Sequence, residues 1–155
     1  MPISIVEVVE YKYPNQFEAG NVAFFVDETI EGGINIQKWS VPGVEQPAVA
    51  DLVALFPTYE AQYANSVVLA QCSMQIMALL DKTAKLKQYA NALSCASYAS
   101  STNTRWAAEA KAFIDWRDAV FLYLINIENE VTAGTIPCPT VAAVIAGIPA
   151  LTWPD

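Results

Sequence analysis

The sequence predicts an α+β fold: a small N-terminal antiparallel β-sheet of about three strands, then a helical domain built on a long antiparallel helix pair. Three observations carry this. Trp106, Ala110, Phe113, Arg117, Val120, Leu124, Ile127 and Val131 are spaced alternately four and three apart, which places them on one stripe of a long helix. Tyr63, Val67, Ala70, Met74 and Met77 repeat that spacing, so a second long helix offers a matching stripe. Residues 2–41 are rich instead in β-branched runs bounded by Gly, Pro and Asn.

In chain order, Ile3 to Val9 reads as a first strand, Asn21 to Ile30 as a second and Ile34 to Val41 as a third. The last two flank Glu31-Gly32-Gly33, a short hairpin turn. Pro42-Gly43 ends the third strand, and Pro47 opens a short amphipathic helix with Val49, Leu52, Val53 and Phe56 on one side. Pro57 is expected to break or kink it. The chain divides into a β-rich region, 1–45, offered to a partner, and a helical domain, 46–155, with helices near 48–56, 58–85, 89–98, 104–132 and 140–147.

Leu69, Cys72, Ile76, Leu79 and Leu80 widen the apolar face of the 58–85 helix, which is expected to cover the 104–132 helix at the shallow crossing angle of a bundle. Ser94 to Asn103 is rich in small hydroxyl residues, which suit turns and caps. Asn103 or Thr104 caps the long helix, and Glu109 lies early in it, where the helix dipole favours negative charge. Gly134 ends that helix, and Thr140 caps a last short one, Val141 to Ala146.

Net charge and composition narrow the function. The chain has 155 residues, a net charge of −8 and only 8 Lys and Arg, which argues against nucleic acid or an anionic membrane as the main partner. Its first residues, Met-Pro-Ile-Ser-Ile-Val-Glu, lack the basic start and apolar core of a signal peptide, and uninterrupted apolar runs fall short of a membrane span. The three cysteines are widely spaced, which suggests reduced thiols in a cytosol. With 54% apolar and 15% charged residues, the composition allows either an alanine-rich core or an apolar patch kept for a partner.

Chemistry is hard to find. There is no histidine, which removes the commonest general base and most zinc sites. No catalytic, metal or cofactor residues are assigned, and no small-molecule substrate is expected. Asp27, Glu28 and Glu31 form an acidic group at a strand end, which reads as a solvated edge or, in a minor alternative, a metal site of a small enzyme. Aromatic and apolar residues of the β-rich region, Phe24, Phe25, Ile36 and Trp39 with Pro42, are the candidate partner-binding set. Packing against the helices is the competing role for Trp39. Trp116, Arg117 and Asp118 form a candidate structural anchor, with Arg117 expected under the Ser94–Asn103 turn, satisfying carbonyls or a carboxylate there.

Three stretches carry a resemblance. They are INIQKWSVPGVEQPAVADLVAL (34–55), ALSCASYASSTNTRWAAEAKAFIDWRDAVF (92–121) and GTIPCPTVAAVIAGIPALTWP (134–154). In this order they resemble the family of bacteriophage tail-fibre assembly chaperones and small tail-fibre accessory proteins. The resemblance covers about the last two-thirds of the chain and only weakly its first thirty residues. It implies a protein without catalytic residues that helps a trimeric tail-fibre protein fold in the host bacterial cytoplasm, released afterwards or kept in the virion tail. The alternative is a permanent component of the tail or baseplate.

Overall fold

The computed structural model describes residues 4–14, 16, 23–27 and 35–154. It is mostly helical, and no three-stranded N-terminal sheet occurs among the described residues. The expected first strand is a helix, α1 (Ile5–Lys12). A capping box overrides its β-branched composition. The Ser4 hydroxyl accepts from the Glu7 amide at 3.3 Å, and the Glu7 carboxylate accepts from the Ser4 amide at 2.8 Å. Ile5, Val8 and Val9 then fall on one buried face.

Strands β1 (Ala23–Asp27) and β2 (Asn35–Ser40) pair as a two-stranded antiparallel ribbon. Phe25 pairs with Lys38 but Val26 with Ile36, so a bulge interrupts the register at Gln37. The Gly32-Gly33 turn expected between these strands lies outside the described residues, as do Glu28 and Glu31. After β2, Pro42 and Gly43 form a tight turn with Gly43 at φ +72° and the Val44 amide on the Val41 carbonyl at 3.2 Å.

The chain forms two compact units, Met1–Ala64 and Asn65–Asp155. In the first, Ile5, Val9, Ile36 and Leu52 make the core, with Tyr13, Trp39, Val49 and Phe56 packed against it. Leu52 comes from α2 (Val49–Val53). Helix α3 (Phe56–Leu86) starts two residues beyond Ala54, and Pro57 sits in its first turn. There the missing amide costs nothing, so Pro57 opens a helix and does not break one.

In the second unit the core joins Cys72, Ile76, Leu80 and Ala84 of α3 to Phe113, Val120, Leu124 and Val131 of α5 (Thr104–Thr132). Cys95 of α4 (Ala92–Ser97) and Val144 of α6 (Val141–Ala146) complete it. The expected 89–98 helix is thus shorter and runs on into a single 3-10 turn, Tyr98–Ser100. The long helices run antiparallel. Lys87, just after α3, reaches Glu109 near the start of α5, and Cys138, beyond α5, approaches the Asn65 carbonyl at 4.0 Å.

The inward face of α3 corrects the sequence-based expectation. Tyr63, Val67, Ala70, Met74 and Met77 are all exposed, Met74 by 65%. The widening row, with Cys72, Ile76 and Leu80, is the one that meets α5. On α5 the expected stripe is buried from Ala110 to Val131, apart from half-buried Arg117, while Trp106 at its start is exposed. Among the described residues, the helical stretch Val49–Leu86 is long and apolar enough to cross a membrane by length and composition alone; its most apolar window has mean hydropathy 1.3 and is 17% buried.

The C-terminal segment lies across this core. The Trp116 indole N–H donates to the Pro149 carbonyl at 2.7 Å, and Trp153 stacks on Phe113 at 6.1 Å. Both α5 and α6 start with side-chain caps, Asn103 and Thr140. Gly134, at φ +69°, closes α5: its amide bonds the Val131 carbonyl and the Thr135 amide bonds the Glu130 carbonyl.

Candidate functional site

The end of α3 is built from the same hydrogen bonds as the end of α5, with one difference. The Gln88 amide bonds the Lys85 carbonyl at 2.9 Å and the Tyr89 amide bonds the Ala84 carbonyl at 3.3 Å. The left-handed residue this closure needs is Gln88, at φ +67°, the one described non-glycine with positive φ. A side chain there is strained. The reversal turns Lys87 and Tyr89 toward the first turns of α5. Asp81 and Asn91 fix the start of α4: the Asp81 carboxylate accepts from the Ala92 amide at 2.9 Å, and Asn91 caps α4 through the Ser94 amide at 2.7 Å.

Glu109 is the focus of this corner. It is 3% exposed, the one charged residue among the buried described side chains. The Tyr89 hydroxyl donates to one of its oxygens at 2.8 Å. The other oxygen takes the Arg105 Nε at 3.1 Å and lies 3.5 Å from the Lys87 ammonium. Lys87 also lies over the Trp153 ring, 5.5 Å from its centre. Tyr98 links the aromatic side of the site, with ring centroids 5.5 Å from both Tyr89 and Trp106. Lys87, Tyr89, Tyr98, Arg105, Trp106 and Glu109 line an open cleft of about 500 Å³.

Burial raises the Glu109 pKa, but hydrogen bonds from Tyr89 and Arg105 and the charges of Lys87 and Arg105 outweigh it, so the carboxyl is held below its ordinary range. The Tyr89 phenol is pushed far up, first by burial and then by Glu109. Burial, with Glu109 second, raises the nearby Cys95 thiol to about 11. At neutral pH the Glu109 carboxylate is therefore ionised, while the Tyr89 phenol and the Cys95 thiol stay protonated.

The sequence-predicted residues fall elsewhere. Arg117 does not reach the 94–103 turn; its Nε and Nη2 both bond the adjacent Asp118 carboxylate, at 3.0 and 2.8 Å. Trp116 does anchor a distant segment, but it is the C-terminal one. Ile36 is buried in the first unit's core. Trp39 is half-buried: its indole N–H donates to the Val44 carbonyl at 2.9 Å and its ring meets Tyr13 edge-on at 5.9 Å. Pro42 is exposed in the turn. Phe24 and Phe25 lie in β1, opposite Trp39 and Lys38 of β2. Ile36 and Trp39 are therefore engaged within the first unit, and Pro42 alone of the three is exposed.

Sequence reasoning missed the Glu109 network. One signal was present: Glu109, Phe113, Trp116 and Val120 are spaced four, three and four, which sets the acid on a row of the long helix that faces the core. Tyr89 and Lys87 gave no such signal, because a turn that needs a left-handed residue carries no Gly or Asn here. Comparison of the chain with family models, curated proteins and solved structures finds no match.

Proposed function

We propose that this chain is a non-enzymatic assembly chaperone for a bacteriophage tail-fibre protein. It binds the fibre chain and assists its folding and trimerisation in the host cytoplasm. The resemblance of residues 34–55, 92–121 and 134–154 to that family is the basis of the reading. The observation that supports it best is the outward face of α3. Val67, Ala70, Met74 and Met77 are exposed, and residues 61–80 contain no Asp, Glu, Lys or Arg. An uncharged apolar stripe on a strongly acidic chain suits transient cover of sticky surface on a newly made fibre, while the acidic remainder keeps the free protein soluble. Methionines on such a face adapt to more than one partner shape.

The contact surface therefore moves from the β-rich region to α3, since Ile36 and Trp39 are occupied within their own unit. Co-expression with the neighbouring fibre gene tests the reading. Fibre solubility and trimer yield are expected to fall without this protein, and unchanged yield refutes it. Recovery in fixed ratio from purified particles, together with fibre yield that is unchanged in its absence, instead marks a permanent tail or baseplate component.

A further inference from the structure

We infer that the cleft between the end of α3 and the start of α5 is a peptide-carboxylate site, taking a carboxylate that has an apolar or aromatic residue beside it. The inference does not rest on the tail-fibre reading. Charge points to an anion. Lys87 and Arg105 converge on Glu109 at 3.5 and 3.1 Å, two cations on one carboxylate. The cleft thus keeps a positive charge within a chain of net charge −8. Farther along α5, Lys111 and Arg117 are each matched by one acid, Asp115 and Asp118.

The donors are spare and already placed. Arg105 meets Glu109 through Nε, so its two terminal nitrogens remain for a second acceptor, and its side chain is 69% exposed. Lys87 makes its ion pair with one ammonium direction and keeps others. Buried Glu109 acts as the internal post that holds both cations, which lowers the ordering cost of binding. Beside them Trp106, 47% exposed, stands edge-on to Tyr98 and offers an apolar face next to Arg105. A single excess positive charge matches a monoanion. A phosphate dianion would overfill it and face Glu109, and a polyanion would meet the repulsion of the whole chain.

A chain-terminal carboxylate and an Asp or Glu side chain share this chemistry. The full-length protein, ¹⁵N-labelled, is titrated with acetyl-Gly-Phe-Leu bearing a free carboxylate, with its C-terminal amide, and with acetyl-Gly-Phe-Glu-Leu amide. The Trp106 indole N–H is followed, assigned through Trp106→Phe. At least one acidic peptide is expected to saturate the shift, with the uncharged amide weaker by about tenfold or more. A response to the free terminus alone assigns a chain end; a response to the Glu peptide alone assigns a side chain; equal responses assign the carboxylate itself. Arg105→Gln is expected to weaken binding about tenfold with the melting temperature little changed. No saturable shift with either acidic peptide overturns the proposal, as does equal binding of the uncharged amide or unchanged affinity in Arg105→Gln. If that variant loses its cooperative melt, the acid-against-amide comparison in the unaltered protein decides alone.

Discussion

The Tyr89 hydroxyl donates to the Glu109 carboxylate at 2.8 Å, across twenty residues of sequence, and so ties the turn after α3 to the first turns of α5. This bond is neutral-to-charged and part-buried, with a buried carboxylate as its acceptor, which makes it costly to lose. Tyr89→Phe is expected to destabilise the protein by about 1–3 kcal/mol in urea unfolding. Arg105→Ala, which removes an exposed partner of the same carboxylate, should cost under about 1 kcal/mol. Equal costs would show that the carboxylate is not held as described.

The network also sets a pH dependence. Glu109 has a folded pKa below its unfolded value, so its contribution is present above about pH 4.3 and is lost as pH falls toward the folded pKa. Tyr89 has a raised folded pKa, so its contribution is present below about pH 10 and is lost above it. Urea midpoints measured across pH should fall on both sides. Glu109→Gln is expected to lessen the acid slope, and Tyr89→Phe the alkaline one.

Gln88 holds a left-handed conformation that glycine adopts without strain. Gln88→Gly should raise stability by about 0.5–1 kcal/mol, the relief of strain exceeding the added flexibility of the unfolded chain. A calorimetric melt a few degrees higher is the expected reading; a lower one would show that the Gln88 side chain makes a needed contact.

The two faces of α3 should respond in opposite ways. Ile76→Ala, in the core, is expected to cost about 2–5 kcal/mol. Met77→Ser, one residue away but outward, should stay within about 0.5 kcal/mol in stability while weakening fibre binding in a pull-down. A large loss of stability in Met77→Ser would mean that this face is covered within the protein.

Trp116→Phe keeps most of the buried ring but removes the donor to the Pro149 carbonyl. The expected cost is about 1 kcal/mol. Hydrogen exchange of residues 150–154 should quicken more than that of α5. Uniform quickening would show that the indole holds the whole core and not the terminal segment.

Much of this fold was legible locally. The four-and-three spacing of Ala110, Phe113, Val120, Leu124, Ile127 and Val131 defined a long helix and its buried face, because residues so spaced share one side of a helix and bury together. Asn103, Gly134 and Thr140 marked helix ends through their own hydrogen-bonding and backbone chemistry. The first helix was not legible by composition: its β-branched residues suggested a strand, and the Ser4–Glu7 box with burial of Ile5, Val8 and Val9 prevailed.

What the tertiary structure alone decided is the choice between equivalent surfaces. Between residues 61 and 80, α3 has no charge to mark an outside, so two apolar rows competed for α5 and periodicity could not rank them. Packing against Phe113, Val120 and Leu124 selected Cys72, Ile76 and Leu80 and left Val67, Met74 and Met77 outward. The same holds for charge. The sequence by itself placed Glu109 and Arg117 one stripe apart on one helix. Only the chain reversal at Gln88, which brings Lys87 and Tyr89 across to α5, determined that the glutamate is buried and paired at a cleft while the arginine stays with Asp118 at the surface.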